Sequence, residues 1–491
     1  MSAPRSRILT ASIGAVAAAG LVLATLGLGA GTTTAAYTDT TAAETSQSQT
    51  PLTSQSARMF PTQTRIANTI TWLQSDGTLW VWGFRGNGLS GSGSATVPNN
   101  NTAPSAVILP NDGYAGPGRR SIVKVAGTSQ DNYYPTDINT TGLAALSDDG
   151  QVYTWGGNSA NNIMGRPSAP TPFTLPGLVS IPGRVIDLTS SATVYMALTD
   201  TGDLYTWGYA QARGATGQGT ATASSAAPSL IMSGVHSIGS GMWNGWAIRG
   251  DSSPGDTTTG VFWWGWANTG SLYASDPSGD NIGANANSPT RSTALSAYAT
   301  SGCDTVGVIM GSADDHCSIK QLNGHYFGNQ LVTSDGQLVT WGAGNQYGTG
   351  RPYVSGAESA TPTVVPLPNG DTVASVSVTV DYVEVLAASG TLYIYGRYSF
   401  AWGPNPATGA VSATNIVTPT AITAFSGPVA AVGGFGYSGT ALLADGTLAS
   451  WGGSTQGGNS NLYNSIRPDW YTTQPTNNAV QGILPMTPPG L

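Results

Sequence analysis

The sequence predicts an all-β protein, a seven-bladed β-propeller in which seven small sheets surround a central channel. Two observations lead to this prediction. A segment ending in Trp-Gly or a close variant recurs seven times in the 491 residues, and the strand inside each copy is apolar on both faces. Such a unit cannot cover its own apolar faces, so it has to stack on copies of itself.

The seven copies follow one another at a period of a little over fifty residues, and two of the intervals are longer because they carry insertions. Six copies are compact, and the segment 197–208 (ALTDTGDLYTWG) is typical of them. The remaining copy, between residues 247 and 265, is lengthened by an insertion. The copies close at Gly83, Gly156, Gly208, Gly265, Gly342, Gly396 and Gly452.

Each copy predicts a β-hairpin. An apolar pair ends one strand, Asp-Gly or a related pair forms the tight turn, and an alternating strand follows. One face of that second strand is aliphatic in all copies, and the other face is mostly aromatic. The aliphatic positions are Leu79, Val152, Leu204, Val261, Leu338, Leu392 and Leu448.

These repeats resemble the regulator-of-chromosome-condensation repeat family, whose units show a small-residue strand, a Gly turn and a terminal Trp-Gly. The resemblance covers roughly residues 66–491 and implies the seven-bladed fold. It says little about function, because the family includes nucleotide exchange factors, a plant photoreceptor, ubiquitin ligase arms and a secreted bacterial inhibitor of β-lactamase. The His that often precedes each unit in the family is missing here. That departure, together with the export signal described next, argues against a nuclear exchange factor, and we expect the secreted bacterial type.

The two ends of the chain predict export and ring closure. Arg5 and Arg7 precede an apolar run, which indicates a signal peptide over residues 1–36, with an uncleaved anchor as the alternative. Residues 37–64 are rich in Thr, Ser and Gln and are expected to form a flexible tether before a propeller at 65–491. We expect the strand candidate at 479–484 to share one blade with residues 65–75 and so to close the ring.

Composition restricts the partners and the cofactors. The formal net charge is −8, so nucleic acid is disfavoured as a ligand. Cys303 and Cys317 are the only cysteines, and in an exported chain they predict one disulfide. We expect no cofactor, no metal and a monomer.

Aromatic residues in the connecting segments are the candidate binding residues. Loops on a rigid scaffold carry binding side chains, and Trp and Tyr dominate interface energetics, although capping of the blades is the alternative role. The insertions at about 128–141 and 299–326 are expected to share one face of the ring, with the insertion at 251–260 on the other. The candidates are Tyr133, Tyr134, Trp243, Trp246, Trp266, Tyr326, Phe327, Tyr398, Trp402 and Tyr437.

Catalysis is not expected, because the chain has three histidines and three glutamates and none of the histidines lies in a nucleophile-elbow context. The run 314–317 (DDHC) and the oxygen-bearing residues Asp276, Asp280 and Asn281 are weak metal-site candidates, for which we expect solvated loop acids instead.

The sequence therefore predicts a secreted or cell-surface binding scaffold that presents inserted loops and aromatic residues on one propeller face to an extracellular protein. Two alternatives remain open. One is a carbohydrate-binding propeller, including a glycan-degrading enzyme that would need paired carboxylates at the channel mouth. The other is a purely structural protein of the cell envelope.

Overall fold

The structure is a computed structural model of the 491-residue chain. The part of the chain that it describes comprises residues 59–61, 69–83, 88–93, 105–116, 118–129, 141–157, 162–166, 173–210, 213–267, 277–280, 284–353, 359–398, 403–436, 438–452 and 481–486. The predicted signal peptide and most of the predicted tether lie outside these residues.

Seven antiparallel units of four strands make up the fold, as the repeats predict. A single parallel pairing of Ser240 with Asn323 joins the fourth and fifth units into one eight-stranded sheet. We call each unit a blade and number its strands outward from the channel. Blades one to three consist of β1 (Met59–Pro61), β2 (Thr69–Gln74), β3 (Leu79–Gly83) and β4 (Ser105–Val107); β5 (Ile122–Thr128), β6 (Gly142–Ser147), β7 (Val152–Trp155) and β8 (Gly177–Val179); and β9 (Val185–Ser190), β10 (Val194–Thr199), β11 (Leu204–Gly208) and β12 (Ser225–Met232).

The later blades repeat this order, with small additions in the fourth and sixth. Blades four to seven consist of β13 (Ser237–Ser240), β14 (Asn244–Arg249), β15 (Gly260–Gly265) and β16 (Ala286–Arg291); β17 (Ile319–Gly324), β18 (Gly328–Thr333), β19 (Leu338–Gly342) and β20 (Ser359–Val365); β21 (Val373–Val378), β22 (Tyr382–Ala387), β23 (Leu392–Gly396) and β26 (Ile416–Ala421); and β27 (Val429–Phe435), β28 (Ser438–Leu443), β29 (Leu448–Gly452) and β30 (Gln481–Met486). A hairpin of β24 (Gly403–Pro404) and β25 (Val411–Ser412), a short helix, α1 (Thr293–Ser296), and two 3₁₀ turns (Gly344–Gln346 and Pro368–Gly370) complete the regular elements of the described residues.

The middle strands of each blade are buried on both faces, which confirms the physical basis of the prediction. All residues of β10 and β11 are buried. Leu204 packs in an apolar cluster shared with blades four and five, whereas Trp207 on the opposite face of the same strand packs in a cluster shared with blade two. Stacking on both neighbours is therefore what removes these strands from water.

The tryptophan of the terminal Trp-Gly also joins neighbouring blades through a hydrogen bond. The Trp207 indole donates to the carbonyl of Ile163 in blade two at 3.2 Å. Trp155 and Trp264 make the same bond to the blade before theirs, at 3.1 Å each. Gly165 lies against the Trp207 ring at a φ of 64°, and a Cβ atom there would lie 2.5 Å from the indole. The glycine-rich connection after the third strand thus seats the next blade's tryptophan.

The ring closes in a different way from the one expected. The C-terminal strand β30 pairs with β29 and completes blade seven, while β2 belongs to blade one. A shared blade is unnecessary because Met59–Pro61, upstream of the expected boundary at residue 65, supplies the innermost strand of blade one. Side-by-side packing of β1 on β27 and β28 then joins the first and last blades.

Strand direction sorts the connections onto two faces. The links from first to second and from third to fourth strand emerge on one face, which we call the upper face. The glycine turns between second and third strands, and the links between blades, emerge on the lower face. The strand ends that flank the insertion at about 128–141 therefore lie on the upper face, although residues 130–140 are outside the described residues. The segment 299–318 precedes β17 and belongs to the lower face, where Ser252 donates to the carbonyl of Ala299 at 2.7 Å.

The expectation that the insertions at about 128–141 and 299–326 share one face was wrong. The strand β17 lies inside the segment 299–326, and this additional strand places the loop before it on the opposite face. The insertion at 251–260 packs against that loop instead of pointing away from it.

The outermost strands carry proline in the ring's later blades. Four of them contain it where the pairing with the third strand shifts register, and β30 contains Pro485. The four prolines at the shifts are Pro228, Pro289, Pro362 and Pro419. Proline has no backbone N–H to offer to a further strand.

Among the described residues, no helix has the length and apolar character needed to cross a membrane.

Candidate functional site

The predicted binding aromatics separate into buried and surface groups. Trp246 is wholly buried, donates to the carbonyl of Pro277 at 2.9 Å and packs edge-on against Trp341. Tyr398 is also wholly buried and stands edge-on to Tyr382. Packing accounts for Trp246 and Tyr398, which the structure does not place on a surface. Tyr133, Tyr134, Trp402 and Tyr437 lie outside the described residues.

The remaining four aromatics form one continuous row on the upper face. Trp243 contacts Trp266 and Tyr326 edge-on, with ring centroids 4.9 Å apart in both cases. Tyr326 in turn contacts Phe327 at 5.2 Å. The first–second turns of blades four and five supply Trp243, Tyr326 and Phe327, and the connection after β15 supplies Trp266. The row therefore lies at the mouth of the channel.

An arginine stacks at each end of the row. The Arg213 guanidinium lies 4.1 Å from the centroid of Trp266 and 4.9 Å from that of Trp243. At the other end, the Arg397 guanidinium lies 5.3 Å from the Phe327 ring and donates to the side chain of Gln346 at 2.6 Å. We call this set the aromatic arc; it consists of Arg213, Trp266, Trp243, Tyr326, Phe327 and Arg397.

The aromatic arc has a buried base and a partly exposed surface. Trp243 and Phe327 are 7% and 1% exposed, whereas Arg213, Trp266, Tyr326 and Arg397 are intermediate. Backbone hydrogen bonds between the turns of successive blades hold this base in place: Ala192 donates to Met242 at 2.7 Å and Tyr326 donates to Val380 at 3.3 Å. A rigid surface of this kind loses little conformational entropy when it binds a partner.

Burial among the rings changes the electrostatics of Arg213. It lowers the pKa of Arg213, while the nearby Tyr326 and Tyr209 side chains oppose that shift. A partly desolvated guanidinium stacked on two indoles is a charge whose interaction with an anion is stronger than it would be in bulk water.

Sequence reasoning missed both arginines. Arg213 and Arg397 lie in the connections after third strands, 30 and 70 residues in sequence from Trp243 and Phe327 respectively. The only available signal was that arginine and lysine are rare in this chain, with 17 in all, so that any such residue next to an aromatic segment was a candidate.

The disulfide is confirmed, with Cys303 and Cys317 joined at a Cα separation of 4.3 Å. The side chain of Asp315 in the same loop is buried, in contrast to the expected solvated acid, whereas Asp314 is exposed as expected. One of its oxygens lies 3.0 Å from Nε2 of His236, and its carboxylate accepts from the backbone of Gly311 and Cys317. The other ring nitrogen of His236 bonds the carbonyl of Thr305.

His236, Asp315 and Cys317 approach one another closely enough to suggest a metal cluster. However, the sulfur of Cys317 is held in the disulfide and both nitrogens of His236 are engaged by protein atoms. These contacts indicate a structural role for the three residues, which hold the loop in its position. Asp280 is likewise structural, because its two carboxylate oxygens accept from the backbone of Thr293 and Ala294 at the start of α1.

No protein family model matches this chain. Solved structures do resemble it. The yeast RCC1 protein (Prp20), seen in complex with Kap60, aligns over 81% of this chain and 80% of its own, with 18% identity and a TM-score of 0.53. Human WBSCR16 aligns over 76% and 83%, with 17% identity and a TM-score of 0.51. A further structure of Prp20p from Saccharomyces cerevisiae, whose reported binding properties concern Gsp1p and histones, gives 18% identity and a TM-score of 0.53. These likenesses establish the propeller fold.

Proposed function

We propose that this chain is an exported propeller that acts as a binding scaffold for an extracellular protein, with the aromatic arc as its contact surface. The observation that carries the proposal is the arc itself: partly exposed Trp266 and Tyr326 beside two stacked arginines, on a buried aromatic base. Tyr, Trp and Arg are the residues that dominate binding energy at protein interfaces.

The location of the arc supports this function. Its residues come from four consecutive blades around the channel mouth, so a partner would contact several rigid elements at once. A stable protein interface needs about 800 Å² from each partner, which the upper face of a seven-bladed ring can supply. The fold is also shared with Prp20p, which has binding properties toward Gsp1p and histones, and a binding role on this fold has that precedent.

Binding of a protein is favoured over binding of a glycan or catalysis. Sugars stack on open aromatic faces, whereas Arg213 already lies over both Trp243 and Trp266. Glycoside hydrolysis also needs two carboxyl groups across the bond that is cleaved, and the aromatic arc contains none.

Capture of the partner from secreted and cell-surface material tests the proposal. The full chain carrying Trp266→Ala should lose most of the captured protein, because truncating an interface tryptophan commonly costs about 2 kcal/mol or more. The matched control is Leu230→Ala, which truncates a side chain that is 52% exposed on β12, away from the arc. Point variants are preferable to deletion of 299–326, since that deletion removes β17.

Equal capture by Trp266→Ala, Leu230→Ala and the unaltered chain, at matched thermal stability, would refute the arc as the contact surface. Binding of an oligosaccharide array in place of any protein would favour the glycan-binding alternative.

A further inference from the structure

We propose that the partner segment bound by the aromatic arc is an acidic peptide with apolar residues at its centre, held by Arg213 at one end and Arg397 at the other. This inference rests on the proposed function and adds the chemistry of the partner. It follows from the order of the groups along the arc, where cationic ends flank an apolar middle.

The charge at the two ends selects carboxylates. Each guanidinium presents a face to an aromatic ring, and its five N–H donors lie in the plane at its edge, where a carboxylate binds. A carboxylate at that edge would favour the charged form of Arg213, which burial disfavours.

The middle of the arc selects apolar side chains. Trp266 and Tyr326 are partly exposed, and neither carries a formal charge at neutral pH. Aliphatic or aromatic side chains of a peptide would bury the exposed parts of these rings, whereas a uniformly anionic polymer would place charges against the rings and lose their hydration. An acidic protein segment therefore fits better than a phosphate or sulfate polymer.

The length of the arc sets the length of the segment. Four consecutive contacts, each between 4.9 and 5.3 Å, connect Arg213 to Arg397 through Trp243, Tyr326 and Phe327. Their path is at most roughly 20 Å, which an extended chain of about six residues spans at 3.3 to 3.6 Å per residue. The two acidic ends of the segment should therefore lie at most about six residues apart.

Fluorescence anisotropy with the full chain and labelled synthetic peptides tests this inference. The probe has acidic pairs at both ends and five apolar or aromatic residues between them. One comparison peptide has lysines in place of the acids, and another has a Gly/Ser centre. We expect the probe to bind with an affinity that falls as salt rises, and both comparison peptides to bind at least about tenfold more weakly.

Variants of the arginines locate the binding. Arg213→Gln and Arg397→Gln should each weaken the probe at least about tenfold, whereas Arg249→Gln, the same loss of charge at the lower-face end of β14, should change the affinity less than about twofold. Arg213→Lys keeps the charge but loses the planar stacking, and should fall between the unaltered chain and Arg213→Gln. Thermal melts of each variant establish that the fold is retained.

Several results would overturn the inference: no binding of the probe, equal binding of the lysine peptide, or full affinity in both glutamine variants. These outcomes are distinguishable from failure of the proposed function. If Trp266→Ala abolishes capture of a protein partner while Arg213→Gln and Arg397→Gln capture it fully, the arc is the binding site and the partner is not acidic.

Discussion

Glu384 illustrates how a single side chain responds to its place between blades. It is the third residue of β22, a position filled in three other blades by Ala144, Met196 and Trp246 and in the remaining three by the uncharged polar residues Thr71, Gln330 and Thr440. It is wholly buried, and this burial raises the pKa of Glu384 well above its ordinary value, with only partial opposition from Ser377. The carboxyl is therefore protonated in the folded protein at pH values where the unfolded chain would ionise it.

The pH dependence of stability follows from this raised pKa. As pH rises above about 4.5, ionisation of Glu384 lowers the free energy of the unfolded state but not that of the folded state. The residue therefore destabilises the folded protein increasingly as pH rises. Glu384→Gln removes the effect. We expect thermal melts to show an advantage of Glu384→Gln over the unaltered chain that grows from pH 5 to pH 7.5.

A suitable control for this series is Asp256→Asn. Hydrogen bonds from Thr258 and Thr259 lower the pKa of Asp256 to about 2, so the folded carboxyl stays ionised throughout that range and its contribution to stability is already complete. The difference between Asp256→Asn and the unaltered chain should therefore stay constant from pH 5 to pH 7.5. A constant difference for Glu384→Gln as well would contradict the burial argument.

At the scale of elements, the connection after the third strand of blades one, two and three holds the tryptophan of the next blade in place. Gly165 is suited to this place because its backbone is left-handed and because the Trp207 ring leaves no room for a side chain. The hydrogen bond from Trp207 to Ile163 depends on the same close approach.

Gly165→Ala should therefore destabilise the protein by at least about 3 kcal/mol, from the left-handed backbone and the clash together. Gly118→Ala isolates the first effect. Gly118 has a φ of 78°, and no neighbouring atom of the described residues lies within 4 Å of the place a methyl group would take, so the substitution should cost only about 1 to 2 kcal/mol. Urea unfolding monitored by tryptophan fluorescence measures both. Equal losses of unfolding free energy in the two variants would mean that the residues around Gly165 rearrange to accommodate the added methyl group.

The hairpins could be predicted from the sequence, but the connections could not. Each hairpin is local: its turn glycine and its alternating strand lie within about a dozen residues. The arc joins residues from four blades, so no local pattern marks it. Trp243 and Trp246 show the limit, since β14 begins at Asn244 and this boundary alone separates a residue of the channel mouth from one of the core.

For the molecule as a whole, seven blades were predictable because the number of copies fixes the number of sheets. The closure was not predictable, because Met59–Pro61 is a three-residue strand with no repeat signature. The tail nevertheless has the structural importance that the sequence suggests, since β30 covers β29, and blade seven packs against blade one.

Deletion of residues 475–491 should accordingly lower the melting temperature by at least about 5 °C and reduce the cooperativity of unfolding, because it removes the outer strand of the closing blade. Deletion of 487–491 alone is the control and leaves β30 intact. Differential scanning calorimetry compares the two forms. An unchanged transition in the longer deletion would show that blade seven is stable with three strands.

The prolines of the outer strands affect how readily these molecules aggregate in concentrated solution. Each blade of a propeller has one outer edge strand, and an exposed edge strand is a template on which another chain could add a strand and begin a fibre. Because Pro228, Pro289, Pro362 and Pro419 interrupt the ladder of donors there, we expect concentrated solutions to stay dispersed. Neighbouring molecules at high concentration would then make contact without forming β-strand pairs between their outer strands.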